Sequence, residues 1–391
     1  MSQTDGNNSA LSGYRVLDLT VERGMLCSRL LADMGASVIR VEKPAGNVKQ
    51  KQPCQPDNLG KRSVTLELEV ERGQEVFRKL VGKTDIVVES YPPGHLKGLG
   101  LDYATLERIN PRLVMASITD FGQDGPYRDY RSSDLVALAL GGQVNICGEA
   151  DMPPLKPFGN QAEYTACLMA AIGIMLALRE RHASGRGQHL DISLQESVAA
   201  TLDHVLVRYF YQQEIASRQG RLYWNNAYRV FPCRDGHILL SLFQQWQTLV
   251  EWLDDEGMAG DLTDEKWLDR DRRVEGLDHI VEVLERWTES HTVAELVEKG
   301  QSMRFPWAEI ASIPRVAESP QLKERDFFID LTDPESGKRF QYPGVPVKLN
   351  HSPWIASSSL PVAGKHNFEI YRGELGLSEE EVKTLMEEGV I

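Results

Sequence analysis

A chain of 391 residues with 41% hydrophobic content has the make-up of a globular protein and is too long for one ordinary core, so two domains are expected. Its 57 acidic against 43 basic side chains leave a net charge of -14, which argues against a nucleic-acid role because phosphate backbones want a basic face. The opening MSQTDGNNSA lacks the basic and apolar regions of a signal peptide, and no apolar run reaches the roughly 18 to 20 residues of a membrane span without polar interruption, so the expected location is the cytoplasm, away from any membrane.

In chain order, YRVLDLT reads as a strand, Met25 to Met34 as a helix and SVIRVEK as a second strand, with TDIVVES and MASITDF as further buried strands. That alternation predicts a parallel α/β sheet. No GxGxxG follows the first strand, which argues against a dinucleotide-binding enzyme although the layering is similar.

Residues 154 to 197 read PLKPFGNQAEYTACLMAAIGIMLALRERHASGRGQHLDISLQES. From Thr165 to Leu178 there is almost no polar residue, and Ala166, Ala170, Ala171, Gly173 and Ala177 are small, so a buried helix is expected. Glu163 falls in its first turn. Free backbone N–H groups favour negative charge there, so on residue type alone it is a capping carboxylate or a functional one. After the helix come a HASGRGQ turn, HLDIS as a strand and LQESVAATL as another helix.

From about Asn225 the character shifts. NNAYRVFPCRDGHILLSLF looks like a hairpin, and helices rich in Trp and Glu follow to about Gly300, which predicts a smaller α+β domain. Cysteines at 27, 54, 147, 167 and 233 form no CxxC pair, and the nine histidines form no HExxH cluster, so neither disulfides nor a metal are expected.

These segments, in this order, resemble the class III CoA-transferases, also called the carnitine dehydratase and bile-acid-inducible F family, which includes formyl-CoA:oxalate CoA-transferases. The likeness runs through LSGYRVLDLT, LLADMGASVIRVEKP, KRSVTLEL, VVESYPPGHLKGLGLDY, NPRLVMASITDFGQDGPYRDY, SDLVALALGG, YPGVPVKLNHSPW, GKHNFEIYRGELGLS and the closing GVI. Any one match would be weak, but so many in order are specific.

The resemblance implies a large domain with a Rossmann-like parallel sheet from residues 1–220, a small domain from 221–330, and a segment 331–391 returning to the large one. It also implies two chains interlocked like links, as a homodimer or with a paralogous subunit. The substrates it implies are an acyl-CoA, such as succinyl-CoA, and a carboxylic acid, with coenzyme A as substrate and no permanently bound cofactor. A carboxylate at the position of Glu163 attacks the donor thioester, and the enzyme then carries CoA as a thioester. The Gly141–Gly142 pair and the loop at Gly159 are the backbone candidates for stabilising the oxyanions.

Phosphates of CoA need Arg or Lys. By resemblance the candidates are Arg40 and Lys43 after the second strand, Lys61 and Arg62 in the KRS turn, Lys97 after the PPG turn, and Arg131 before Asp134, with adenine near Val41 and Leu66. The acid's pocket, between domains in this family, has Tyr164, Tyr223, Trp224 and Tyr228 as candidate lining.

The chain departs from the family's pattern where its chemistry sits. The usual nucleophile is Asp with Gly four positions later, and here stand Glu163 and Cys167. The added methylene shifts the carboxylate by about 1 Å or more. Arg23, Gly24 and Met25 replace the usual AGP, and Ser90 replaces the usual Asn after VE. Two alternatives therefore stay open. One is a supporting subunit without turnover. The other is an α-methylacyl-CoA racemase, whose His–Asp pair would fall on Ser133 and Asp134 and so lacks its His. Cys167 in an apolar helix is expected to be inert.

Overall fold

The computed structural model describes residues 9–21, 23–44, 56–220, 222–223, 228–332, 337–355 and 362–391. They form two compact units. The first draws on 1–144, 156–215 and 323–391, the second on 145–155 and 216–322.

The first unit is built on β1 (Arg15–Leu19), α1 (Met25–Asp33), β2 (Ser37–Glu42), β3 (Arg62–Thr65), α2 (Glu71–Val81), β4 (Ile86–Glu89), α3 (His95–Gly98), α4 (Tyr103–Ile109), β5 (Val114–Thr119), α5 (Asp134–Leu140), α6 (Gln161–Ser184), β6 (His189–Ser193), α7 (Leu194–Ala200) and α8 (Asp203–Gln212). Its six strands lie in the order β3-β2-β1-β4-β5-β6, every pairing parallel. A parallel sheet covered on both faces wants nearly continuous apolar strands, and all six residues of β5 are buried.

The pleat divides these strands between two cores. Val16, Val38, Ile86, Val88, Val114, Ala116 and Ile118 face α1 and α6. Leu17, Ile39, Val64, Val87, Leu113 and Met115 face the other way, with Phe77 and Leu80 of α2 and Leu385 near the C-terminus. The last segment is tied in by polar bonds too: Asn367 accepts from Thr65 N at 2.9 Å, and the Tyr371 hydroxyl donates to Thr65 O at 2.8 Å.

α6 departs from the expected buried helix. Its small-residue stripe, Ala162, Ala166, Ala170, Ala171 and Ala177, packs into the core, while Leu168, Met169, Ile172, Met175 and Leu176 are exposed. Its 24 residues are long and apolar enough to match a membrane span, with half of the apolar window buried in the protein. The helix ends at Gly185, whose φ of 77° caps it in the left-handed region. Two residues on, a Cβ at Gly187 would lie 1.8 Å from the Leu113 carbonyl oxygen, so the GRGQ turn can pass the start of β5 only as glycine.

In the second unit, β7 (Leu222–Tyr223), β8 (Tyr228–Cys233), β9 (Gly236–Ser241) and the later β10 (Ala308–Glu309) form an antiparallel sheet in the order β10-β9-β8-β7. Helices α9 (Trp246–Asp255), α10 (Arg270–Glu275), α11 (Leu277–Glu289) and α12 (Val293–Ser302) complete it. Trp252, Trp287, Trp307 and Phe305 fill its core. Glu256 accepts from the indole N–H groups of Trp252 at 2.6 Å and Trp287 at 2.7 Å, satisfying two donors that burial would otherwise strand.

Candidate active site

In an open parallel sheet the strand order reverses between β1 and β4, and the crevice beyond their carboxyl ends is where such folds bind ligands. Two turns meet there. Val21 N, leaving β1, donates to the Ser90 hydroxyl, leaving β4, at 3.0 Å. The β1 turn continues to Gly24, whose φ is 87° and whose absent Cβ would lie 2.9 Å from Thr20 Cγ2.

The Gly24 N–H lies near enough to the Glu163 carboxylate to favour its charged form. Glu163 is the third residue of α6 and only 7% exposed. Its own N–H donates to Asp134 Oδ1 at 3.1 Å, and Asn160 Nδ2 reaches its Oε2 at 3.4 Å. Burial pushes its carboxyl up to about 7, and the charges of Asp57 and Asp134 add to that, while Arg23 and the Gly24 N–H oppose it. Arg23 is held by Asp120 Oδ2 at 2.7 Å and by the Ser132 carbonyl at 3.1 Å. Ser133 caps α5 by accepting from Val136 N, and Asp134 beside it accepts from Glu163 N, so this pair braces α5 and α6. One turn along α6, burial pushes the Cys167 thiol up to about 12, which leaves it inert.

The basic side chains expected for the phosphates fall into three settings, and Lys61 and Arg40 point inward. Lys61 is fully buried, its three N–H donors taken by Asp18 Oδ2 at 2.8 Å, Asn58 Oδ1 at 2.8 Å and Met25 O at 3.0 Å. Arg40 is buried beside it, 3.7 Å from Asp18 and 3.3 Å from Glu42. Burial alone would raise the Asp18 carboxyl, but Lys61 and Arg40 outweigh it and hold it at about 2. Both cations are inward because a buried aspartate at the end of β1 needs them there. They brace the turn that carries Gly24.

Arg62 is committed to Glu369 at 2.6 Å, to Glu374 and to the Ser37 hydroxyl at 2.7 Å. Lys43 is 72% exposed and 3.2 Å from Glu67, and Arg131 is exposed. Lys97 lines a cavity on the sheet face opposite α6. Of the aromatic candidates, Tyr164 is exposed on α6 and Tyr228 half-buried in β8, while Trp224 and the side chain of Tyr223 lie outside the described residues. Asp57 and Asn160 were not picked out as parts of the site by sequence: Asp57 reaches Glu163 only through the fold, and Asn160 stands three residues before it at the start of α6. Among the described residues no group of three or more His, Cys, Asp or Glu could hold a metal ion.

A buried carboxylate at a helix start thus stands at the switch point of an open α/β sheet, the place where proteins of this fold class bind their ligands. The chain belongs to CoA-transferase family III, which it matches over residues 11–367. It is 34% identical to the succinyl-CoA:(R)-benzylsuccinate CoA-transferase subunit BbsE of Thauera aromatica, over 97% of this chain and 98% of that protein. It is 32% identical to a formyl-CoA:oxalate CoA-transferase of Streptomyces avermitilis, over 98% of this chain and 99% of that one. A CAIB/BAIF family protein from Brucella suis superposes with a TM-score of 0.82 at 28% identity, covering 94% of this chain and all of that one. The chain is thus a CoA-transferase of mixed α/β fold, with one six-stranded parallel sheet and smaller antiparallel sheets.

Proposed function

We propose that Glu163 is the covalent nucleophile of a transferase moving CoA between an acyl-CoA, such as succinyl-CoA, and a carboxylic acid. The observation that carries this reading is the placement of its carboxylate against the Gly24 N–H at the sheet's switch point. The Glu163 carboxylate attacks the thioester carbonyl, the C–S bond breaks, and a mixed glutamyl anhydride and CoA thiolate form. The thiolate then attacks the glutamyl carbonyl, expelling the donor acid and leaving a glutamyl–CoA thioester. The acceptor carboxylate and the released thiolate repeat the two steps in reverse order. Each step passes through a tetrahedral oxyanion, for which backbone N–H donors are the electrostatic partners. Water must stay out, since hydrolysis of the anhydride would waste the thioester's free energy.

For the phosphates of CoA the reading takes Lys43 and Arg131, whose charged ends are exposed. Lys61 and Arg40 serve indirectly, by fixing the β1 turn. The relatives named as subunits, BbsE of Thauera aromatica and the succinyl-CoA–L-malate CoA-transferase beta subunit of Chloroflexus aurantiacus, favour an assembly of two chains, of one kind or two. The exposed apolar faces of α6 and α8 supply a surface for it, and the reading places the protein in the cytoplasm.

The test is mass spectrometry after incubation with succinyl-CoA and other acyl-CoAs, with hydroxylamine or borohydride trapping. An adduct on Glu163 that is missing from Glu163→Gln supports the nucleophile. Transfer activity that survives Glu163→Gln overturns it.

A further inference from the structure

On the sheet face turned away from α6, the ends of β4, β5 and β6 line a cavity of about 230 Å³. The pleat puts Glu89, Ser117 and His189 on this face, because their neighbours Val88, Ala116 and Leu190 pack with α6 on the other. The register sets Glu89 opposite Ser117, and Met115 opposite His189. The Ser117 hydroxyl stands beside the Glu89 carboxyl and lies 2.9 Å from His189 Nε2, whose ring stacks on Tyr103 at 5.5 Å between centroids. Glu89 is 4% exposed, and its Oε2 accepts from Tyr91 N at 2.8 Å. None of these groups touches Glu163.

Two features of the lining ask for a ligand. Gln123 N is bound by Asp191, yet its side-chain Nε2 is buried and has no hydrogen-bond partner among the described residues. An acceptor brought into the cavity would supply the missing bond. Lys97 stands exposed at the same lining, with Arg128 beyond it. Met115, Leu96, Pro92 and the Tyr103 ring supply an apolar floor. The volume is below the roughly 300–1,000 Å³ of sites that take drug-sized ligands, which points to a small molecule.

We propose that this cavity is a second binding site, separate from Glu163, for a small carboxylate. One carboxylate oxygen takes the Gln123 Nε2–H, the other faces the Glu89 carboxyl, Lys97 meets the charge, and the hydrocarbon part lies on Met115 and Leu96. Burial pushes Glu89 up to about 7, so near neutral pH it holds a proton much of the time and donates it to the ligand. The charged and titratable groups around Glu89 and the cavity are Tyr91 just after β4, Lys97 from α3, Asp102 and Tyr103 at the start of α4, Arg128 after β5, and His189 and Asp191 of β6. The occupant lies close to the Ser90–Tyr91 turn that anchors Val21, so it borders the site at the switch point without entering it.

Equilibrium dialysis of labelled benzoate against the full chain tests the proposal, with circular dichroism confirming that each variant is folded. Wild type and Glu163→Gln should bind one benzoate per chain alike, and Gln123→Leu and Lys97→Met should each weaken binding about tenfold. Affinity should fall by about tenfold from pH 6 to pH 8 as Glu89 loses its proton. If Gln123→Leu does not fold, Lys97→Met at the exposed rim carries the comparison. Binding that disappears in Glu163→Gln while surviving Lys97→Met places the acid at the other site and overturns the proposal, as does a folded wild type with no saturable benzoate binding.

Discussion

Glu163 and Asp18 are two buried carboxylates about which the protein makes opposite choices. Asp18 is surrounded by Lys61, Arg40 and hydroxyls and stays ionised, whereas Glu163 has Asp57 and Asp134 for neighbours and is pushed up to about 7. A folded-state value raised above the unfolded 4.5 means that the folded protein holds the proton more tightly, so this contribution to stability is present below pH 4.5 and is lost as pH rises to about 7. Glu163→Gln should therefore gain on the order of 1–3 kcal/mol at pH 8 and almost nothing at pH 4, read from urea midpoints at the two pH values. A variant equally stabilised at both would show that the site does not disfavour the charge. The donor half-reaction should rise with pH around an apparent value of about 7 if the ionised Glu163 is the attacking group. At Asp18 the sign reverses: a value depressed from 3.8 to about 2 gives stability that is present above pH 3.8 and lost as pH falls through 2. Removing its partner, Lys61→Met, strands a buried charge and should cost about 3–5 kcal/mol in urea unfolding, with part regained in the Asp18→Asn, Lys61→Met double variant. A cost below about 1 kcal/mol would mean that the pair is not the brace described.

At the scale of elements, what the sequence made legible is what period and punctuation encode. Apolar runs named β1, β2, β4 and β5, and the GRGQ turn named the end of α6. The small-residue run predicted the helix but not that only its alanine stripe is buried, because a helix apolar all round gives no periodic signal to tell core from an outward face. Nor could sequence show that Lys61 and Arg40 point inward. That depends on Asp18 lying buried on β1, one strand from Arg40 on β2 and two from Lys61 before β3, an arrangement made by topology. Glu163 was legible through its local setting, while Asp57, more than a hundred residues away, was not. The GRGQ turn supports a prediction that uses only local geometry. Gly185→Ala meets no neighbour within 4 Å but must adopt φ near 77°, costing about 1 kcal/mol, whereas Gly187→Ala runs into the Leu113 carbonyl, which cannot rotate away. Thermal unfolding should therefore rank Gly187→Ala well below Gly185→Ala. Equal midpoints would contradict the close approach.

For the whole molecule, the exposed apolar faces are what is left over once three cores are filled. Leu176 on α6 is 62% exposed, and Phe210 and Tyr211 on α8 are 69% and 86% exposed, large apolar side chains that a partner surface would cover. If a second chain covers them as proposed, interlocking makes a sharper demand than docking. Two chains that merely dock exchange partners at the rate at which the interface opens. Linked chains cannot separate until one of them unfolds far enough to unthread. Mixing two differently tagged preparations of the folded protein should then yield no mixed dimer over days at 25 °C, while brief passage through denaturing urea followed by refolding should yield the statistical mixture. Leu176→Glu separates the two arrangements further. In a docked dimer a buried unpaired charge at the interface frees monomers visible by light scattering, whereas in linked chains the same charge lowers the unfolding midpoint and leaves the mass of the folded species at two chains. Mixed dimers appearing in native buffer within hours would leave the apolar faces as an ordinary interface and remove the linkage.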